Sequence, residues 1–384
     1  MKIAFEAKRA YTNGTGLGHY SRTLLSSLAT YYPEHAYYLC TPKVTDRYNA
    51  GAFPNMQVVT PQSFPGSLFT AAWRSSWVKK DLQRLGIDLY HGLSHEIPMG
   101  IQHTRIKSVV TIHDLIFERY PKQFNPIDVK IYRKKFSYAC ANADKVIAIS
   151  QQTKEDIMSF YHTPADKIEV CYQSCNPAFA ATVSEAEKQR IHAVYQLPER
   201  FYLYVGSIIE RKNLLTICKA LKLLQGPHAI PLVVIGEGDD YKKQVQQYIQ
   251  EQGLQQQVLF LSDVPAIKDL PSFRSAADFP AIYQQAICMI YPSIFEGFGI
   301  PVLEALFSRI PVITSNISCL PEAGGEGAWY VDPYDAAQMA EAMQQIAENE
   351  TIRNNLAHKG LQHAQNFTAD KCAAAVMQVY LRTV

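Results

Sequence analysis

No run of apolar residues in the chain reaches the ~18–20 needed to cross a bilayer. The opening MKIAFEAKRA carries charges where a secretion signal needs an unbroken apolar segment. Both absences are read as a protein made and kept in the cytoplasm. An excess of one charge is also missing. Lys+Arg number 37 against 35 Asp+Glu, a net +2, whereas a general nucleic-acid binder carries a strong basic surplus. The eight cysteines include no CxxC pair, and Cys171 and Cys175 have no His/Cys cluster beside them. They are read as buried reduced thiols rather than disulfides or metal ligands. GEGDD (236–240) lacks D-x-D spacing and reads as a loop of solvated acids, so no metal site is expected.

What is present is the composition of a globular protein, 47% hydrophobic and 19% charged over 384 residues, long enough for roughly two to three domains. Short β-rich runs alternate with helical patterns, which predicts parallel α/β architecture. IAFEA (3–7), YYLCT (37–41), QVVT (57–60), LYHG (89–92), SVVTIHD (108–114) and KVIAIS (145–150) form one series of strands. FYLYVGS (201–207), PLVVIGEG (231–238), VLFLSD (258–263), ICMIYPS (287–293), PVITS (311–315) and AWYVDP (328–333) form a second. The polar, Pro-flanked stretch 179–198 between them reads as a linker. The expectation is two Rossmann-like domains facing each other across a cleft, 1–178 and 198–364, with a C-terminal helix at about 365–384 packing back on the first. Ligands of such sheets bind beyond the carboxyl ends of the strands.

The richest of those loops is YPSIFEGFGIPVLEAL (291–306). Gly297 and Gly299 free the backbone, Pro301 suits a first helical turn, and loop N–H groups at a helix start bind anions. Glu296 and Glu304 flank the loop. Carboxylates repel phosphate but accept from hydroxyls, so phosphate and hydroxyls on one ligand, a nucleotide sugar, satisfy both parts. A helix-dipole role for Glu304 and a plain turn at EGFG explain the pattern equally well in isolation. NGTGLGHYSRTLL (13–25) places Gly14, Gly16 and Gly18 before a helix through Tyr20–Tyr32. Its spacing is not the G-x-G-x-x-G of dinucleotide binders and no acid ends the second strand, which disfavours an NAD enzyme. A structural turn and a diphosphate-lining loop both remain open.

Arg211 and Lys212, in VGSIIERKNL (205–214), follow the first strand of the second series. They are either solvated cations or a pair that neutralises a diphosphate. His113 and Asp114 end the strand SVVTIHD, and HGLSHEIP (91–98) adds His91, His95 and Glu96, read as acceptor-side candidates beside the alternative of satisfied structural histidines. FTAAWRSSWVKKDLQRLG (69–86) reads as one helix with Phe69, Trp73 and Trp77 four apart on one face. Arg74, Lys79, Lys80 and Arg84 flank that face. Aromatics beside a basic edge suit a lipid-headgroup surface, and an ordinary helix packed on its sheet is the other reading. The basic run VKIYRKKF (129–136) supports the first if it lies on the same surface.

Together these stretches resemble the retaining glycosyltransferases of family GT4, which have the GT-B fold. The resemblance covers nearly the whole chain. EGFGIPVLEAL (296–306) is similar to the family's E-x7-E signature, and PVITSNISCLPEAGGEGAWYVDPYD (311–335) is similar to the family's stretch on the C-terminal side of that signature. GLGHYSRTLL, TIHDL and LYVGSIIERKNL look most like the mannosyltransferases that extend bacterial O-antigen chains.

By that resemblance Glu304 accepts from the nucleotide ribose. Glu296, with the N–H groups of Phe298 and Gly299, holds the donor sugar. Arg211 and Lys212 bind the diphosphate, Gly16 and Gly18 line it from the other domain, and His113 meets the transferred sugar near its C6 hydroxyl. The implied reaction is retaining, with no metal and no cofactor. GDP-mannose is the first donor expected, and a lipid-linked saccharide reached by peripheral contact with the inner face of the membrane is the acceptor. A UDP-sugar enzyme and a catalytically silent sugar-nucleotide-binding partner in polysaccharide assembly are the alternatives. The chain departs from the family at Ser207, where many members have arginine, at Arg309, usually glycine, and in the long segment 265–278.

Overall fold

Two parallel sheets organise the chain in a computed structural model that describes residues 1–61, 69–224, 226 and 229–384. The chain divides into two units, Met1–Cys175 with Phe367–Val384, and Asn176–Asn366. In the first unit the strands are β1 (Lys2–Glu6), β2 (Ala36–Cys40), β3 (Met56–Val59), β4 (Leu89–Gly92), β5 (Lys107–Ile112), β6 (Lys145–Ala148) and β7 (Ile168–Val170). They lie in the order β3-β2-β1-β4-β5-β6-β7. The second unit contains β8 (Tyr202–Val205), β9 (Leu232–Ile235), β10 (Val258–Phe260), β11 (Cys288–Tyr291), β12 (Val312–Ser315) and β13 (Ala328–Val331). Their order is β10-β9-β8-β11-β12-β13.

Near-continuous apolar strands are what sheets covered on both faces require, and every residue of β8, β9, β11 and β12 is buried. In each sheet the strand order reverses once, between β1 and β4 and between β8 and β11. Loops leaving neighbouring strands at such a point diverge and open a crevice at their carboxyl ends.

The helix Ala369–Thr383 belongs to the first unit. Its Val376, Met377 and Tyr380 join the core around Ile3 and Phe5, and Tyr380 Oη lies 2.5 Å from His91 Nδ1. All eight cysteines are buried and none forms a disulfide. Among the described residues no helix is long and apolar enough to cross a membrane.

Several local expectations give way to tertiary detail. The stretch 179–198 is no free linker. It carries the helix Glu185–Tyr195, whose Ile191 and Tyr195 are buried within the second unit. Segment 265–278 packs against that helix, with Phe273 5.9 Å from Tyr195 between ring centres and Tyr195 Oη donating to Asp278 at 2.7 Å. The helix expected from Tyr20 starts at Gly16. Asn13 Oδ1 accepts from the N–H groups of Thr15 and Gly18 at 2.8 and 3.2 Å, which replaces the stabilisation that glycine does not supply.

The stretch 69–86 is not one regular helix, because a π-type turn, Trp73–Trp77, separates Thr70–Ala72 from Val78–Leu85. Side chains four apart no longer superpose across it. Trp73 turns inward, 3% exposed, with its indole N–H on Asp81 at 2.8 Å. Arg309 takes the left-handed φ of 61° just past the helix Ile300–Phe307, where glycine is favoured, and its guanidinium donates to the Ala180 carbonyl at 3.3 Å.

Candidate active site

In the second unit, β8 runs out through Gly206 and Ser207 into the turn Glu210–Lys212, and β11 through Pro292–Gly299 into the helix Ile300–Phe307. The two loops flank the switch point and bring Arg211, Lys212 and Glu296 together. Arg211 Nη1 lies 2.8 Å from Glu296 Oε1 and also donates to the Phe295 carbonyl. Ser293 Oγ and Tyr291 Oη donate to the same Oε1 at 2.8 and 2.9 Å. Lys212 Nζ stays 3.7 Å from it and donates instead to Tyr291 Oη at 2.7 Å. The contacts that Arg211, Ser293 and Tyr291 make with the carboxylate all fall on this one oxygen.

Burial alone would raise the Glu296 carboxyl. The Lys212 and Arg211 charges and the bonds from Ser293 and Tyr291 outweigh it, so Glu296 sits below the ordinary carboxylate range and is ionised. Burial lowers the Lys212 ammonium, and Glu296 offsets that in part. Two cations stand against one ionised carboxylate, leaving a surplus of positive charge in a largely buried site.

Glu304 falls in the second turn of the helix Ile300–Phe307, so a first-turn dipole effect does not account for it. It is half-buried, and Tyr283 Oη donates to its Oε2 at 2.9 Å. Burial pushes its carboxyl up to about 7, against the pull of Tyr283 and Lys212. Gly299 opens the helix at φ 107°, a conformation L residues avoid, and a Cβ there would meet Leu320 at 3.0 Å. Phe298 is buried beside it. Ser318 fixes the loop from β12, its Oγ accepting from Glu296 N at 3.2 Å and donating to Glu296 O at 3.1 Å. A cavity of about 430 Å³ opens next to these loops, lined by Ser207, Ile209, Glu237, Gly238, Asp239 and Tyr241. GEGDD is the loop of exposed acids expected from the sequence, and it also walls this cavity; Glu237, still exposed, pairs with Lys268 at 3.0 Å.

In the first unit the switch point gathers the histidines. His113 Nε2 lies 2.9 Å from the Leu93 carbonyl, which only accepts, so Nε2 carries the proton. Burial takes His113 down to about 4, the bond to Leu93 partly opposing and Arg9 adding to it. His95, 5.1 Å away between rings, is lowered further by burial, His113 and Arg9. Both are neutral. Asp114 accepts from Ile116 N at 3.1 Å, a local turn contact, and His91 is taken up by Tyr380 and by Thr111 at 2.8 Å.

The two glycines differ. A Cβ on Gly18 would stand 1.9 Å from the Asn13 carbonyl, whereas one on Gly16 would meet nothing within 4 Å. Close packing alone therefore accounts for Gly18. Of the aromatic and basic candidates, Trp73 is excluded as a surface residue by its burial. Lys79 is half-buried, with its ammonium 2.7 Å from where a Gly100 Cβ would be. Trp77 and Lys80 are exposed, and Trp77 meets Phe69 edge-on at 6.4 Å. Glu96 joins the two basic stretches, holding Arg74 at 2.8 Å and Lys135 at 3.1 Å.

Tyr291, Ser293, Tyr283 and Ser318 carry much of this geometry and are not singled out by sequence pattern. Tyr291 and Ser293 lie within the loop 291–306, two apart at the end of β11, which is their one detectable signal. Among the described residues no group of three or more His, Cys, Asp or Glu side chains is placed to hold a metal ion.

Residues 14–179 match the family model described as Glycosyltransferase Family 4, and residues 184–363 that described as Glycosyl transferases group 1. The O-antigen chain mannosyltransferase B of Escherichia coli is 25% identical over 99% of both chains. Among solved structures, the sucrose-phosphate synthase of Thermosynechococcus elongatus superposes with a TM-score of 0.77 at 21% identity, covering 100% of this chain and 98% of that one. Anabaena HepE in complex with UDP-glucose gives 0.73 at 17%, covering 100% of both. At these identities the structural likeness speaks for the fold.

Proposed function

This chain belongs to glycosyltransferase family 4 and has the GT-B fold, and from that premise we propose that it is a retaining, metal-independent mannosyltransferase. In this reading it moves mannose from GDP-mannose to a growing, lipid-linked cell-surface oligosaccharide. The observation that carries the donor site is the convergence of Arg211, Tyr291 and Ser293 on Oε1 of Glu296. With that oxygen saturated, Oε2 is the atom we assign to the hydroxyls of the donor sugar.

As the bond from sugar C1 to phosphate breaks, negative charge grows on the diphosphate and positive charge on the sugar. Arg211 and Lys212 neutralise the first, and ionised Glu296 stabilises the second. Groups fixed beforehand in a largely buried site do this without reorganisation. Glu304 takes the ribose hydroxyls. The base goes to the cavity of Ser207, Ile209, Glu237 and Asp239, where carboxylates accept from the N1–H and N2 amino group of guanine. Uracil offers a single N–H, so GDP is favoured over UDP. The name of the Escherichia coli relative supports mannose.

His113 and His95, neutral and adjacent, supply hydrogen-bond groups to the saccharide on the first unit. Membrane contact is assigned to the surface of Phe69, Trp77 and Lys80 and to the helix Pro126–Asn142, whose Ile127 and Ile131 are 68% and 45% exposed and whose Lys130 and Lys134 are exposed as well. Anionic headgroups match that charge.

A thermal-shift panel tests the donor. Stabilisation by GDP well above UDP, unchanged in EDTA, is expected. Stabilisation by UDP over GDP would replace the guanine reading with a uridine one, and dependence on added metal would end the metal-independent one.

A further inference from the structure

Tyr291 makes no contact with the donor in this mechanism, yet it stands at the centre of the charge cluster. It is 1% exposed at the last position of β11. Its hydroxyl has one proton and it goes to Glu296 Oε1 at 2.9 Å, because the carboxylate can only accept. The oxygen's lone pair then takes the Lys212 ammonium at 2.7 Å. The ammonium also stands 5.1 Å from the centre of the tyrosine ring, within cation–π range.

The consequence lies in a distance. Lys212 Nζ remains 3.7 Å from Oε1, too long for a hydrogen bond, while Arg211 reaches the same oxygen at 2.8 Å. Glu296 is thus satisfied by one cation, and the phenol stands between it and the other. The lysine stem runs over Gly206, where a Cβ would come within 3.3 Å of its Cδ and 3.2 Å of its Nζ. Gly206 below and Tyr291 beside it define where the ammonium can be.

We propose that Tyr291 is a positioning residue that holds the Lys212 ammonium off Glu296 and so keeps it available to the departing diphosphate. This rests on the reading of Lys212 as a diphosphate ligand. Without the hydroxyl, the nearest acceptor for the ammonium is Oε1 itself. Lys212 would close on the carboxylate, two cations would share one anion, and both partners would lose function at once. The lysine would no longer meet phosphate, and Glu296 would turn from the sugar.

The test uses the full chain with GDP and GMP as probes and Tyr291→Phe, Lys212→Ala and the double variant, with thermal melts confirming that each is folded. Tyr291→Phe is expected to weaken GDP binding by roughly tenfold, the size of a lost charge-assisted bond. GMP, which lacks the second phosphate, should lose much less. Adding Tyr291→Phe to Lys212→Ala should cost nothing more, since the tyrosine acts through the lysine. In turnover, the alkaline limb of the Tyr291→Phe pH profile should move up, because a lysine closed on a carboxylate holds its proton longer.

Equal losses for GDP and GMP, or additive effects in the double variant, would show Tyr291 to be merely structural and overturn the proposal. Unchanged GDP affinity in Lys212→Ala would instead remove the parent reading of Lys212. If Tyr291→Phe does not fold, Tyr291→Leu, which likewise lacks the bridging hydroxyl, replaces it. Full retention of GDP affinity in a variant that cannot bridge Lys212 and Glu296 would equally overturn the proposal.

Discussion

Replacing Glu304 by glutamine separates what its carboxylate costs from what it does. The amide keeps an oxygen for the Tyr283 hydroxyl, now 2.9 Å from Oε2, and removes only the charge. Burial raises the folded-state carboxyl from 4.5 to about 7. The folded protein therefore binds this proton more tightly than the unfolded chain. Its ionisation costs nothing below pH 4.5, an increasing amount up to pH 7, and a constant amount above. The full shift corresponds to ~3 kcal/mol at ~1.4 kcal/mol per pH unit. Glu304 is only half-buried, so solvent screening reduces this to ~2 kcal/mol.

Glu304→Gln should accordingly melt about 4–8 °C above wild type at pH 8, and the gain should shrink to about a quarter of that at pH 5. Donor binding moves the other way. Ribose hydroxyls need the ionised carboxylate, so the ratio of wild-type to variant GDP affinity should climb from pH 6 to pH 8 and approach tenfold at the top. Taking the ratio cancels the titration of GDP itself. A variant no more stable than wild type at pH 8, or equally stabilised at pH 5, refutes the burial argument. A flat affinity ratio refutes the ribose assignment.

Gly18→Ala, whose Cβ would stand 1.9 Å from the Asn13 carbonyl, should lower stability by roughly 1–3 kcal/mol in urea unfolding, whereas Gly16→Ala should be nearly silent. Tyr380→Phe takes a partner from buried His91 and should cost about 1–2 kcal/mol by the same measurement, without altering GDP affinity. Flotation with anionic liposomes should fall for the pair Lys80→Glu and Lys134→Glu and be abolished by high salt. Trp73→Phe should float like wild type, because Trp73 is buried.

Much of the architecture is legible in the chain because parallel strands buried on both faces must be apolar throughout. All six strands of the second unit lie within the runs read from the sequence. β7 escaped because it is a three-residue edge strand, IEV, too short and too polar at its centre to register. The five-residue helix Lys8–Thr12 escaped because its charges mask its short apolar face. The start of the helix Gly16–Tyr31 was misplaced since glycines signal loops, while the deciding bonds come from a side chain, Asn13, just outside it. Trp73, Trp77 and Phe69 have helical spacing, but a π-type turn sends Trp73 inward.

That Arg211, Lys212 and Glu296 come together was legible because sheets gather the loops at their strand ends. Tyr291 and Ser293 end an apolar strand and look like core. Tyr283 reaches Glu304 from a separate helix, Phe279–Tyr283, a contact without sequence periodicity.

The central claim is that the cluster on Glu296 transfers a sugar and does not merely hold a nucleotide. Turnover of labelled GDP-mannose in EDTA, with the anomeric configuration of the product read by NMR, tests it directly when wild type and Glu296→Gln are compared. The account predicts an α-linked product from the α-linked donor and a fall of about 10²–10³ in the variant, the scale of a lost transition-state contact. Tight donor binding without turnover, an inverted product, or a variant as fast as wild type would contradict it.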